Sequence, residues 1–367
     1  MAIRGDEHGG QAPSDDPESQ GSGVRARRAA PTMRDIAREA GVAQSTVSRV
    51  LNKVPTQIPI APETRDRVMQ AAHRLGYRPN PLARGLRGAA TMLIGAVVRD
   101  FSDPFYAGVI EALAVEAMKH GYNVVLGHAQ GVPGRPLGTV LETRHTDAVI
   151  VLGDMQPQPQ VLADLRAAPV PVVALWQGTS PLEFPTADAD DRAGILAGLE
   201  HLAALGHRRI AFVGAELPGG FTRREDAYVE FMRDRGGVPE GYLERCANTL
   251  AGGDAALGRL MLLPEPPTAV ATSTDLVAMG LLHAAHSLDR AVPGRLSVVG
   301  FDDIFMSAHT VPALTTLRMP IAAIVGHAVQ LAIALAADPD LPRDPRLEIF
   351  EPTLIVRDST APPPAGP

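Results

Sequence analysis

Gln44, Ser45, Thr46, Ser48 and Arg49 fall within six residues and carry the hydrogen-bonding groups that reach base edges and phosphates in a DNA major groove. Val47, Val50 and Leu51 alternate with them, so a helix starting near Gln44 or Ser45 buries one face and offers the other. The preceding stretch, TMRDIAREAG, reads as a second short helix. Thr32 is placed to cap it, Asp35 three residues on completes a capping-box pair, and Ile36, Ala37 and Ala40 share one face. Gly41 ends that helix, because glycine takes the left-handed conformation without a Cβ penalty and lets the chain turn within Gly41-Val42-Ala43. Two short helices around a glycine form a helix-turn-helix, although the same pattern also builds plain αα-hairpins in cores.

Charge bears on that choice. From Arg25 to Arg87 the chain carries 13 Lys or Arg against 4 Asp or Glu, whereas its formal net charge is -7. A basic block on an acidic body is the footprint of a protein whose amino-terminal part alone meets phosphate. Pro62, Glu63, apolar Val68, Ala71, Ala72 and Leu75, and a stop at Gly76 mark a third helix. Beyond it, Asn80 and Pro81 open a very short helix that is marginal alone, since it lacks the length to offset nucleation and contains Gly85.

The chain of 367 residues, 45% hydrophobic, suffices for a small module plus one large two-lobed body. No apolar run approaches the ~20 residues needed to cross a bilayer, and no apolar leader follows the opening residues, so a cytoplasmic protein is expected. A single cysteine, Cys246, excludes an intramolecular disulfide and a cysteine-cluster metal site. Residues 1–30 and 359–367 are poor in large apolar side chains and are expected to be disordered. Arg25, Arg27 and Arg28 end the first of these tails, either as phosphate contacts or as a solvated basic segment.

Beyond Gly88 short apolar runs alternate with helical stretches. MLIGAVV, YNVVLG, DAVIVLG, VPVVALW, RIAFVG, TAVATS and LSVVGF read as buried parallel strands, with AGVIEALAVEAMKHG and RAGILAGLEHLAALG as intervening helices. This is doubly wound α/β architecture, which binds ligands beyond the carboxyl ends of its strands. Activated groups for an enzyme are not evident: there is no P-loop, no Gly-x-Gly-x-x-Gly after a strand and no Gly-x-Ser-x-Gly elbow. His283, His286 and Asp289 recur every three residues, but each step drifts roughly 60° around a helix, so no metal and no cofactor are expected.

From Thr32 to Arg357 the chain resembles the LacI-type transcriptional regulators, the lactose and galactose repressor family. The resemblance implies an amino-terminal three-helix module (31–78), a hinge (79–90) and a two-lobed, periplasmic-binding-protein-like α/β domain with parallel sheets (91–358). It assigns base contacts to Gln44, Ser45 and Arg49 and phosphate contacts to Thr46 and Ser48, with Thr32, Asn52 and Arg84 completing the DNA-facing set. The segment ARGL resembles the family's hinge helix, in which the leucine matching Leu86 wedges into the minor groove of a palindromic site. Two hinges imply a homodimer on double-stranded DNA. The link NKVPTQIPIAPET is longer than is usual, and Gly85 is a poor hinge residue.

For the body, the resemblance implies a small-molecule effector, a sugar being expected, held between the lobes. Asp100-Phe101-Ser102-Asp103-Pro104-Phe105-Tyr106 resembles a family signature in which Asp103 replaces the usual Asn. Phe105 and Tyr106 either stack on the ligand or pack the next helix. Arg224 matches an arginine that reaches effector hydroxyls or carboxylates, and Asp302 matches a hydroxyl-accepting aspartate. Thr274 stands where relatives often carry Asn, beside Asp275, and Trp176 either walls the pocket or covers an edge. A stand-alone binding protein of the transport type would share the two lobes but not the helix-turn-helix.

Overall fold

The computed structural model describes residues 31–51, 59–77, 90–129, 145–155, 158–177, 183–216 and 220–364. The chain divides into two compact units, Met1–Pro79 and Asn80–Pro367.

In the first unit, helices α1 (Met33–Ala40), α2 (Gln44–Leu51) and α3 (Pro62–Arg74) enclose a small core. The capping box is present, with Asp35 N–H donating to Thr32 Oγ1 at 3.3 Å and Thr32 N–H donating to the Asp35 carboxylate at 2.9 Å. Gly41 adopts φ 64°, which stops α1 and aims the chain into α2. Ile36, Val47 and Val68, one from each helix, are fully buried together, each worth roughly 1.5–3 kcal/mol of burial. Asn52, Arg84, Leu86, the expected hinge and the expected disordered segment 1–30 lie outside the described residues.

The second unit holds two six-stranded sheets. Strands β1 (Leu93–Val98), β2 (Asn123–His128), β3 (Ala148–Leu152), β4 (Val172–Leu175), β5 (Thr186–Ala189) and β11 (Leu347–Phe350) form the first, in the order β11-β5-β4-β3-β1-β2. Its pairings are parallel. Strands β6 (Ile210–Ala215), β7 (Leu243–Cys246), β8 (Ala269–Thr272), β9 (Ser297–Asp302), β10 (Thr315–Arg318) and β12 (Thr353–Ile355) form the second, in the order β12-β10-β9-β8-β6-β7. Only the β10–β12 pairing in it is antiparallel.

Helices α4 (Phe105–Lys119) and α5 (Pro159–Arg166) follow strands of the first sheet. Helices α6 (Asp191–Ala204), α7 (Gly220–Arg233), α8 (Leu250–Leu260) and α9 (Asp275–Ser287) serve the second lobe. The chain passes between lobes from β5 into α6, from β10 into α10 (Ile321–Ala337), and from β11 to β12; α10 packs on α4, β3, β4 and β5. No helix among the described residues is long and apolar enough to cross a membrane.

Each of the apolar runs singled out above becomes a strand. YNVVLG is not buried as expected, because β2 lies at the edge of its sheet and Leu126 is exposed. The short strands β5 and β10, TADA and TTLR, lack an apolar run, and neighbouring strands hold them in place. The expectation of a disordered end fails for 359–364. Ser359 is buried, its hydroxyl donating to Val298 O at 2.6 Å and accepting from Thr315 N–H at 2.8 Å. His207, buried, donates from Nε2 to Ala361 O at 2.9 Å. Backbone and hydroxyl hydrogen bonds tie this polar, proline-rich segment down, which composition does not reveal.

Candidate functional site

On α2, Val47 and Val50 are buried, Gln44, Ser45 and Arg49 are exposed, and Thr46 and Ser48 are half-buried. The helix therefore presents to solvent the polar side chains named from the sequence. Thr32 also faces solvent, but both its hydroxyl and its backbone N–H are engaged by Asp35.

In the second unit a crevice holding about 480 Å³ of empty space, part of it open to solvent, lies at the carboxyl ends of strands from both sheets. The first lobe contributes Arg99 after β1, Asp103, Phe105 and Tyr106 at the start of α4, Gly153 and Asp154 after β3, and Trp176 after β4. Asp188 of β5 and Asp191 of α6 flank a crossover. The second lobe adds Phe221 and Arg224 of α7, Thr274 before α9, Asp302 ending β9, and Met319. Both lobes thus bring strand ends to one crevice, where such sheets take ligands.

Aromatic groups wall it. Phe105 meets Trp176 edge-on with centroids 5.0 Å apart and Tyr106 at 5.5 Å. Tyr106 enters because residue 153 is glycine at φ 98°; a Cβ there would collide with its hydroxyl. Trp176 Nε1 is buried with no hydrogen-bond partner among the described residues. Trp176 and Asp302 also carry positive φ, 54° and 116°. Non-glycine residues held there cost of order 1–3 kcal/mol and gather at ligand clamps.

The polar groups form an ordered network. Arg224 Nε donates to Asp191 Oδ1 at 2.7 Å, its Nη1 donates to Ser273 O at 2.5 Å, and Asp302 Oδ1 lies 3.6 Å from the same Nη1. The guanidinium sits 3.6 Å from the Phe301 ring centroid. Neighbouring Arg223 pairs with Asp188 at 2.9 Å and Asp191 at 2.5 Å, joining α7 to a crossover strand of the other lobe. Burial pushes Asp302 well above the carboxylate range against the pull of Arg224. Burial likewise raises Asp188 to about 6, opposed by Arg223.

Of the effector residues named from sequence, Phe105, Tyr106, Trp176, Arg224, Thr274 and Asp302 meet in this cavity, and Asp275 does not line it. Asp275 is fully buried behind it. Its Oδ1 accepts from the Thr316 hydroxyl at 2.5 Å; Oδ2 accepts from Ile304 N–H at 2.9 Å and the Ser307 hydroxyl at 2.5 Å. It braces the walls rather than facing a ligand. Sequence reasoning missed Arg99, Asp154, Asp188, Asp191, Phe221 and Met319. Their position just after apolar runs or beside Arg224 was the available signal for several of them, while Asp188 lies within a strand that has no apolar pattern. His283 is not part of a triad; its Nδ1 lies 2.6 Å from Asp254 on the surface.

These protonation shifts predict a pH dependence. Burial raises Asp275 from the ordinary 3.8 to about 7, so its contribution to stability is fully present below 3.8 and is lost as pH rises through about 7. His201 and His207 are lowered from 6.5 by burial, so their contribution is present above 6.5 and lost as pH falls. Relative to an Asp275→Asn variant, which carries the same histidine contribution, unfolding free energy measured in urea is expected to fall from about pH 4 to about pH 7. A rise across that window would contradict the assignment.

A helix-turn-helix module followed by a two-lobed α/β body with a crevice at its strand ends defines the class: a DNA-binding transcriptional regulator. The family model of bacterial regulatory proteins, lacI family, matches residues 32–80, and that of a periplasmic binding protein-like domain matches residues 199–360. The HTH-type transcriptional repressor CytR of Escherichia coli (strain K12) is 32% identical over 342 residues, covering 92% of this chain and 98% of that protein. The lac repressor dimer bound to operator and the anti-inducer ONPF superposes with a TM-score of 0.76 at 25% identity, covering 90% and 99% of the two chains. The transcriptional regulator CelR in complex with cellobiose gives a TM-score of 0.65 at 28% identity, covering 90% and 99%. The chain belongs to the lacI family of bacterial transcriptional regulators.

Proposed function

We propose that this protein is a repressor that binds a palindromic operator as a homodimer in the cytoplasm, and that a small hydroxylated effector, a sugar, sets its operator affinity from the cleft between the lobes. The observation that carries the effector reading is the cavity itself, in which strained Trp176 and Asp302 face one another's lobes alongside Arg224 and three further aromatic rings. Asp302 and Arg224 supply an acceptor and donors for hydroxyls, and the rings suit the apolar face of a sugar. The cellobiose complex of CelR supports the same ligand class. An effector that prefers one arrangement of the lobes shifts operator affinity by its differential affinity for the two states.

The DNA reading rests on the exposed row Gln44, Ser45 and Arg49 on a helix anchored by Val47 and Val50. Selection from random duplexes with the full chain is expected to enrich a palindrome. Arg49→Ala is expected to weaken binding to it about 30-fold or more, one base contact of about 1–3 kcal/mol being lost in each of two half-sites, and to relax specificity at one position of each half-site. Enrichment of no palindrome, or an Arg49→Ala protein binding as tightly with the same preference, would refute this reading.

A further inference from the structure

Asp103 and Thr274 both stand where the family resemblance expects an asparagine, and one side chain joins them. Asn248 follows β7 in the second lobe. Its Nδ2 donates to Asp103 Oδ2 at 3.0 Å, and its Oδ1 accepts from the Thr274 hydroxyl at 2.8 Å. Asp103 Oδ1 accepts from Phe105 N–H at 3.0 Å at the start of α4, and Thr274 Oγ1 accepts from Val277 N–H at 3.2 Å as the cap of α9. The start of a helix in one lobe is thereby tied to the cap of a helix in the other through a single amide.

The chemistry explains the departures. A carboxylate at position 103 only accepts, and it meets two donors, Phe105 N–H and Asn248 Nδ2. The hydroxyl of Thr274 both donates to Asn248 and accepts from Val277, so the side chains of the chain are matched end to end. Asp103 and Thr274 line the cavity; Asn248 does not, and acts through them. The Arg223–Asp188 pair also spans the lobes, but Asp188 stands beside the crossover into α6, where the lobes are covalently joined. The Asp103–Asn248 bond links loops 145 residues apart that belong to no crossover. Asn248 is half-buried, so water can compete for its bonds when the lobes part.

We propose that Asn248 is a positioning residue that fastens the two lobes across the cleft, holding Asp103 and Thr274 at a fixed separation and favouring the closed form before any effector arrives. The inference rests on the cleft being the effector site, and its test needs neither DNA nor effector. Trp176, the chain's one tryptophan, lines the cavity. Its fluorescence reports opening.

Acrylamide quenching of Trp176 in the full-length protein is expected to rise about twofold or more in Asn248→Ala and in Asn248→Asp, as a hydrogen bond to a charged group is lost from the closed form. Asn248→Asp keeps the side-chain volume and sets two carboxylates together, so it decides the matter should the alanine variant fail to fold. Asp103→Ala is expected to give the same rise, and Asp103→Ala with Asn248→Ala no more than either alone. Unchanged quenching in the folded Asn248 variants, or additive effects in the double variant, would overturn the clasp. Failure of operator selection, by contrast, would sink the regulator reading and leave these outcomes unaffected.

Discussion

Replacing Asp275 with alanine is expected to destabilise the two-lobed body by about 3–5 kcal/mol. The carboxylate accepts from three donors, Ile304 N–H and the hydroxyls of Ser307 and Thr316, all in segments that follow β9 or form β10. The two hydroxyls can rotate, but the backbone N–H cannot, and an unsatisfied buried donor costs about 1–3 kcal/mol. The pocket around the carboxylate is fitted closely: residue 300 is glycine, and a Cβ there would strike Asp275 Oδ1. As the first residue of α9, the aspartate also places negative charge where the helix dipole favours it. Urea midpoints of the full chain provide the check, with the slope of the transition unchanged. A loss below about 1 kcal/mol would show that the site relaxes around the missing group.

Arg224→Ala is expected to cost a similar amount, about 3–5 kcal/mol, with a pH signature opposite in sign to that of Asp275→Ala. Asp191 keeps a partner in Arg223. Asp302 does not keep its own: the 3.6 Å contact to Arg224 is the ion pair it makes among the described residues, and its carboxyl is already raised by burial. Without the guanidinium it rises further, so protonation relieves the penalty at low pH and the loss grows as pH climbs. Denaturation at about pH 5.5 and pH 8 separates the cases, and equal losses at both would refute Asp302 as the source. Arg224→Lys should recover little, because one ammonium cannot reach both Asp191 and Ser273 O while lying over the Phe301 ring.

The lobes themselves were largely legible. Six of the seven apolar runs became buried strands because a strand covered on both faces must be apolar throughout, a signal that needs no partner to be read; the seventh, β2, lies at a sheet edge. The same holds for the helix-turn-helix, whose capping box, glycine stop and apolar stripe are all encoded within about 20 residues. Short polar strands such as β5 and β10 were illegible, since their pairing is decided by neighbours far away in sequence. The ordered segment 359–364 was missed for a related reason. Its anchors are His207, Val298 and Thr315, more than 40 residues distant.

The candidate effector site divides along the same line. The family resemblance named Phe105, Tyr106, Trp176, Arg224, Thr274 and Asp302, and the fold brings all six to one crevice at the strand ends. Sequence adjacency could not separate Thr274 from Asp275. Thr274 is the extended N-cap of α9 and Asp275 its first helical residue, and the change of backbone conformation between them sends residue 275 into the packing behind the cavity. Nor could it join Asp103 to Asn248, since a hydrogen bond between lobes exists only once both have folded and met. Sequence alone determined the class of the apolar strands and of the patterned helices, through periodicity and caps that act locally. Tertiary structure decided which polar groups face the cavity, which brace it and which tie the lobes together, because those roles depend on distances that only the packed chain defines.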